Sequence, residues 1–305
     1  MKRKIKKQAH LIQTHLLSDC IEEFLNDCKN NKNLAVKTLE TYKTNLNHFY
    51  SCFDDIAIES LTDNHLQQFN DYLVNRHTLS ANSINMIRRI LNVFFKYCHE
   101  HYHIQLLKFD FMKVDKRQKV IFTDEEIKRI SIKPNLNNCT YTDYKLWLMI
   151  QICLNTGARL SSIINLKKSD ITKDTVIFKH TKSRKEQIFP LSRRLRNEIN
   201  EYLSIVDLET EYLFESSKNT KCTQNQITTA FIRYCRQRHC KCTSFHAIRH
   251  VYATKLYQKT HDIRLLQSIL GHQDIQTTSR YLISLNLETY KDEVLKFNIF
   301  EELEE

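Results

Sequence analysis

The sequence predicts a mainly α-helical protein with one small antiparallel β-sheet. Three observations carry that prediction. Only two glycines and two prolines punctuate 305 residues, so helices meet few breaks. Apolar residues recur at three- and four-residue spacing through most of the chain. Two short β-prone runs, Thr175 to Lys179 and Gln187 to Leu191, flank a charged turn in the manner of a hairpin.

Residues 12–104 read as four helices packed into a small bundle. The first apolar stripe is Leu17, Cys20, Ile21, Phe24, Leu25 and Cys28; the second is Leu39, Tyr42, Leu46, Phe49, Tyr50 and Phe53. A shorter helix carries Leu66, Phe69 and Leu73. The fourth starts at the cap residue Ser80 and aligns Ile84, Ile87, Leu91, Phe94, Phe95 and Cys98. From about 105 to 121 the periodicity lapses into Lys108, Lys113, Lys116, Arg117 and Lys119, which reads as a basic linker, solvated or lying along a polyanion. A second domain opens with a capping box, Thr123 and Glu126. Its next helix is lined by Tyr144, Trp147, Ile150, Cys153 and Leu154; beyond the strands, helices are expected at 193–204, 224–239, 246–258 and 263–270.

Composition bounds the function. The chain is 41% hydrophobic and 27% charged, as in soluble globular proteins, and its formal net charge of +11 points to a polyanionic partner, nucleic acid first. No membrane span or export signal is expected, since the basic start lacks an apolar run. A cytoplasmic location follows, and the ten cysteines then read as small apolar residues and not as disulfides. Cys235, His239, Cys240 and Cys242, with Cys222 upstream, lack the paired spacing of a zinc knuckle, and no metal site is expected there. The histidines of Cys98-His99-Glu100-His101-Tyr102-His103 suit the negative end of a helix. Abundant Lys, Asn and Ile fit an A·T-rich genome, a composition shared by many mobile elements.

Chemistry-bearing residues gather around the two glycines. Gly157 and Gly271 each follow a helix and suit a left-handed stop; Arg159 comes just after one and His272 directly after the other. His246 and Arg249 stand three apart on one helical face. An arginine fork can grip two phosphate oxygens, and an imidazole can move a proton near neutral pH. Tyr281 lies nine residues after His272. A phenol with a pKa near 10 attacks only where cations and a base assist it.

Together these blocks resemble the tyrosine recombinases, the phage-integrase and Xer-like enzymes. Thr156-Gly157-Ala158-Arg159-Leu160-Ser161-Ser162 is similar to the family's first arginine motif, and His180-Thr181-Lys182 with Lys185 and Pro190-Leu191 to its β-hairpin lysine. His246 and Arg249 match its H-x-x-R box, and Leu270-Gly271-His272 with Tyr281 its final box. The match spans roughly 122–288, and Ser162 stands where an acidic residue is usual. The resemblance implies a helical core-binding domain at 1–107, a basic linker at 108–121, a mixed α/β catalytic domain at 122–288, and a tail at 289–305 that docks on a neighbouring protomer or hangs free.

It also implies roles. Tyr281 would attack the scissile phosphate and form a 3′-phosphotyrosyl bond, with Arg159 and Arg249 offsetting transition-state charge. Lys182 would protonate the leaving 5′-oxygen, His246 would handle the tyrosine proton, and His272 would bind a non-bridging oxygen. Neither ATP nor a metal is required. The implied partners are double-stranded DNA with inverted-repeat core sites, clamped between the two domains, and further copies of the chain forming a tetramer on it, with room for accessory DNA-bending proteins. Arg88, Arg89 and Lys96 on the fourth helix, Lys116, Arg117 and Lys119 in the linker, and Arg184 and Lys185 in the hairpin turn are the expected DNA contacts. A plain solvated face explains those on the fourth helix equally well. A type IB topoisomerase and a non-catalytic DNA-binding regulator of the same fold remain alternatives.

Overall fold

The computed structural model describes residues 14–76, 78–114, 120–179, 186–279 and 281. They divide into two compact units, Met1–Arg117 and Gln118–Glu305.

In the first unit the apolar stripes become α1 (Leu17–Asn30), α2 (Val36–Phe53), α3 (Asp63–Asn75) and α4 (Ala81–Tyr102). Phe24, Phe49, Phe69, Phe94 and Phe95 are fully buried at their common centre. Ser80 caps α4 by accepting from Ser83 N at 3.2 Å, as its position before the apolar run predicts.

The chain after α4 differs from a free linker. Ile104, Leu107 and Phe109 are buried in the bundle core. Asn92 pairs through its carboxamide with both backbone groups of Phe109 (2.9 and 2.7 Å), and Asn85 pairs likewise with Met112 (2.8 and 2.8 Å). Each amide plays the part of a neighbouring β-strand, satisfying a segment that has none. Between them Arg88 donates from Nη1 to Asp110 O at 2.7 Å and from Nη2 to Asn70 Oδ1. Arg88 is 7% exposed, so it is an internal strut and not an open phosphate contact. Arg89 and Lys96 are exposed, Arg89 over the Phe111 ring and Lys96 beside Glu100. Lys116, Arg117 and Lys119 lie outside the described residues.

The second unit opens with the expected capping box: Glu126 N donates to Thr123 Oγ1 at 3.2 Å, and Thr123 N to Glu126 Oε2 at 3.0 Å. It starts α5 (Asp124–Ser131). Next, α6 (Tyr141–Thr156) is buried on all sides, with Leu146, Leu148 and Met149 as inaccessible as Trp147 and Ile150. It is the axle of this unit, wider in its burial than the single stripe read from its spacing. Then come α7 (Leu160–Ile164), β1 (Thr175–Phe178) and β2 (Gln187–Pro190), the strands antiparallel with Thr175 opposite Pro190 and Phe178 opposite Gln187. The hairpin turn at 180–185, with Lys182, Arg184 and Lys185, is outside the described residues. The remaining helices are α8 (Arg193–Ile205), α9 (Gln224–Gln237), α10 (Phe245–Thr260), α11 (Ile263–Leu270) and α12 (Ile275–Ser279). α10 packs on α6 and α11, which brings the ends of those helices together.

Cys235, Cys240 and Cys242 are buried, and desolvation pushes their thiols up. Among the described residues no group of three or more His, Cys, Asp or Glu side chains is placed to hold a metal ion.

Candidate active site

Both glycines turn their helices sharply. Gly157 closes α6 at φ +64° and Gly271 closes α11 at φ +61°, the left-handed region where a side chain is strained. Neither has room for a methyl group. A Cβ on Gly157 would lie 2.4 Å from the Tyr252 ring, and one on Gly271 would lie 2.7 Å from Gln187 Nε2. Gln187 itself donates to Ile269 O at 3.0 Å, fastening the base of β2 to the end of α11. The first turn delivers Arg159, at the start of α7; the second delivers His272.

Arg249, on α10, reaches between these two turns and is 2% exposed. Its Nη1 donates to Gly157 O at 2.6 Å and its Nη2 to Leu270 O at 2.8 Å. Both acceptors sit at the negative ends of helices, which stabilises a buried guanidinium there. Nη2 also meets His272 Nε2 at 3.1 Å, and Nε donates to Tyr281 Oη at 3.3 Å. The planar fork thus fixes where the phenol sits relative to both helix ends.

The tautomer of His272 follows. A guanidinium only donates, so Nε2 accepts from Arg249 and the ring proton is on Nδ1, 3.0 Å from Thr278 Oγ1. Burial, then the charges of Arg249, Arg159 and His246, push its pKa down to about 4, and the ring is neutral at neutral pH. Arg159 is held below the usual guanidinium range by burial and by Arg249, while Tyr281 acts the other way. The site is a half-buried cluster of arginine and histidine side chains around the phenol. Ser162, at the position where an acid is usual, is 4% exposed.

Tyr281 is 6% exposed, and its Oη lies 3.3 Å from Arg249 Nε and 3.5 Å from His246 Nε2. Both contacts are at the long end of hydrogen bonding. His246, one turn before Arg249 on α10, is exposed.

Of the six expected catalytic residues, the structure brings Arg159, His246, Arg249, His272 and Tyr281 together, and Lys182 is outside the described residues. Thr278, Gln187 and His250 were not legible as site residues. Thr278, fully buried three residues before Tyr281, accepts the Nδ1 proton of the His272 tautomer that Arg249 sets. His250 directly follows Arg249, and its ring lies against Tyr281. A second histidine four residues after His246 was the available signal for it.

A model of the phage integrase family matches residues 121–287, and one for the phage integrase N-terminal SAM-like domain matches residues 20–103. The chain is similar to tyrosine recombinase XerA of Thermococcus kodakarensis, at 27% identity over 208 residues, covering 66% of this chain and 71% of the relative. It is similar to tyrosine recombinase XerD of Shewanella oneidensis at 22% identity over 287 residues, covering 89% and 94%. Among solved structures, a lambda integrase tetramer bound to a Holliday junction matches with a TM-score of 0.71 at 18% identity, over 88% of this chain and 78% of that one. XerH recombinase bound to its palindromic difH substrate matches at 0.68 and 20%, over 91% and 84%. At those identities the structures speak for the fold.

Proposed function

This chain belongs to the phage integrase family of tyrosine recombinases, and on that premise we propose that it cuts and rejoins duplex DNA at specific sites with Tyr281 as the attacking group. The observation that carries the assignment is the setting of one oxygen: Tyr281 Oη lies 3.3 Å from Arg249 Nε and 3.5 Å from His246 Nε2, in a cluster that Arg159 and His272 join.

A DNA phosphodiester brings negative charge to the two arginines. Tyr281 Oη bonds to phosphorus as its proton passes to His246, and the bond from phosphorus to the 5′-oxygen breaks. Arg159 and Arg249 offset the charge on the pentacoordinate transition state, the term that usually dominates such reactions. His272 hydrogen-bonds a non-bridging oxygen once that oxygen takes over Arg249 Nη2 and the ring proton moves from Nδ1 to Nε2, and Lys182 gives a proton to the departing 5′-oxygen. The 3′-phosphotyrosyl link keeps the energy of the broken bond, so a 5′-hydroxyl from a partner strand reverses the step. Arg249 is held by helix-end carbonyls before DNA arrives, so little reorganisation is needed in the transition state.

In this reading residues 122–288 are the catalytic domain, 1–107 the core-binding domain and 108–121 the connection, divisions supported by the family matches over 121–287 and 20–103. The DNA carries inverted-repeat core sites, and four copies assemble on it with residues 289–305 docking on a neighbour; the lambda integrase tetramer on a Holliday junction supports that assembly. Among the described residues no helix is long and apolar enough to cross a membrane; a cytoplasmic location belongs to the same proposal. Similarity to Xer recombinases and integrases favours strand exchange over topoisomerase-like relaxation or a non-catalytic regulator.

The test is Tyr281→Phe on a nicked suicide substrate. It is expected to bind site DNA with unchanged affinity and to form no covalent adduct. An adduct formed by this variant would show that another residue attacks.

A further inference from the structure

The 35 Asp and Glu residues of the chain are unevenly spread. Residues 216–261 contain none of them, the longest such stretch in the sequence, and carry nine Lys and Arg. This stretch comprises α9, α10 and the turns that lead into each. Most of the net charge of +11 therefore lies on one continuous piece of the second unit.

The structure sorts these cations. Arg249 belongs to the active site. Arg238 lies over the Tyr234 ring at 3.4 Å, Lys221 lies over the Tyr212 ring at 5.0 Å, and Lys255 pairs with Asp124 at 2.8 Å. Lys218 precedes α9, and Lys259 sits at the far end of α10. Arg233 and Arg236, three apart on α9, share an exposed face, and Lys241 is exposed just past the turn that ends this helix. That turn is pinned. His239 N donates to Arg236 O and Cys240 N to Cys235 O, both at 3.1 Å. The buried Glu126 carboxylate accepts from Lys241 N at 2.5 Å, and Arg129 of α5 donates to His239 O at 3.1 Å, bringing a further guanidinium to the turn.

His246 follows Lys241 by five residues. Five residues span at most about 18 Å, or about five base pairs of duplex at roughly 3.4 Å each. Exposed cations that lead up to a site attacking a phosphodiester fit the phosphates continuing from it along the same duplex.

We propose that Arg233, Arg236 and Lys241 grip the DNA backbone beside the cleaved phosphate, fixing the duplex over Tyr281 without reading its bases. The claim rests on the chain cleaving duplex DNA through Tyr281, and it adds where the catalytic unit holds that duplex.

The experiment uses full-length protein carrying Arg233→Gln, Arg236→Gln and Lys241→Gln, singly and together, with Arg236→Lys as the charge-keeping control. Affinity for a nicked suicide duplex and for an unrelated duplex is measured between 50 and 200 mM salt, with single-turnover cleavage at saturating protein alongside. Each Gln variant is expected to lower the steepness of the salt dependence by about 1 on both duplexes, and Arg236→Lys to leave it unchanged. Over that salt range the native chain should lose about 40-fold more affinity than the triple variant. Cleavage at saturation should stay within about 3-fold of native, since none of the three touches the phosphorus. Neutral methylphosphonates within about five nucleotides of the cleaved phosphate should weaken the native chain and add nothing further to the triple variant. The proposal is overturned if the triple variant keeps the native salt dependence, if its loss is confined to the site duplex, or if saturated cleavage falls with the salt dependence unchanged. A triple variant altered in self-association alone would mean that the surface meets an acidic protein segment, which also overturns it. A native chain that forms an adduct at Tyr281 while the triple variant keeps the native salt dependence sinks only this surface, whereas a native chain without an adduct sinks the reading beneath it.

Discussion

Arg249 and His272 show how much of the site is decided by single side chains. The guanidinium was legible from H-x-x-R spacing, since three residues of helix put His246 and Arg249 on one face. Its partners were not, because Gly157 O and Leu270 O are backbone atoms remote in sequence and leave no trace in residue type. The same holds for Thr278, whose hydroxyl meets His272 Nδ1 only because the fold brings them together. His272 carries a testable consequence. Its folded pKa of about 4 lies below the unfolded value of 6.5, so as pH falls the unfolded chain takes up the proton first. Stability is complete above about pH 6.5, declines as pH drops toward 4 and then levels off. Thermal melts of the native chain and of His272→Gln across that window should differ in slope, the native chain losing more. Parallel slopes would mean that His272 is not held neutral.

At the level of elements, periodicity located the helices well where one face is wet. α1, α3 and α4 keep their predicted buried stripes, and Thr123 and Ser80 cap as expected. It failed where burial has no face. α6 is enclosed all round, so its spacing under-reported its core. The segment after α4 failed for the opposite reason: it has no period, and the residues that hold it, Asn85, Arg88 and Asn92, look like a solvated stripe. Polar side chains that replace a strand partner cannot be told from surface ones by residue type alone. The glycine turns belong to this scale too. Gly157→Ala meets a left-handed φ and the face of a Tyr252 ring, and should cost about 2–4 kcal/mol. Gly271→Ala meets the same φ but the flexible end of Gln187, and should cost about 1–2 kcal/mol. Chemical denaturation that ranks them the other way round would mean that the ring yields more easily than the amide.

For the whole molecule, net charge and four motifs in register were enough to name a family and a partner. They were not enough to sort DNA contacts from struts. Affinity for site DNA should fall steeply with salt as bound counterions are released. Arg89→Gln and Lys96→Gln, on exposed positions, should each lower the steepness of that dependence by about 1 if they meet phosphates. Arg88→Gln should leave it unchanged and lower the melting temperature, since its guanidinium faces Asp110 O and Asn70. All of this depends on one phenol oxygen attacking one phosphorus atom. The most direct measurement traps the native chain on a nicked suicide duplex, digests the adduct and locates the modified residue by mass spectrometry. The expected product is Tyr281 esterified to a 3′-phosphate, with a free 5′-hydroxyl on the released strand. A DNA-linked peptide lacking Tyr281, or a phosphate joined through the 5′ end, would contradict the account.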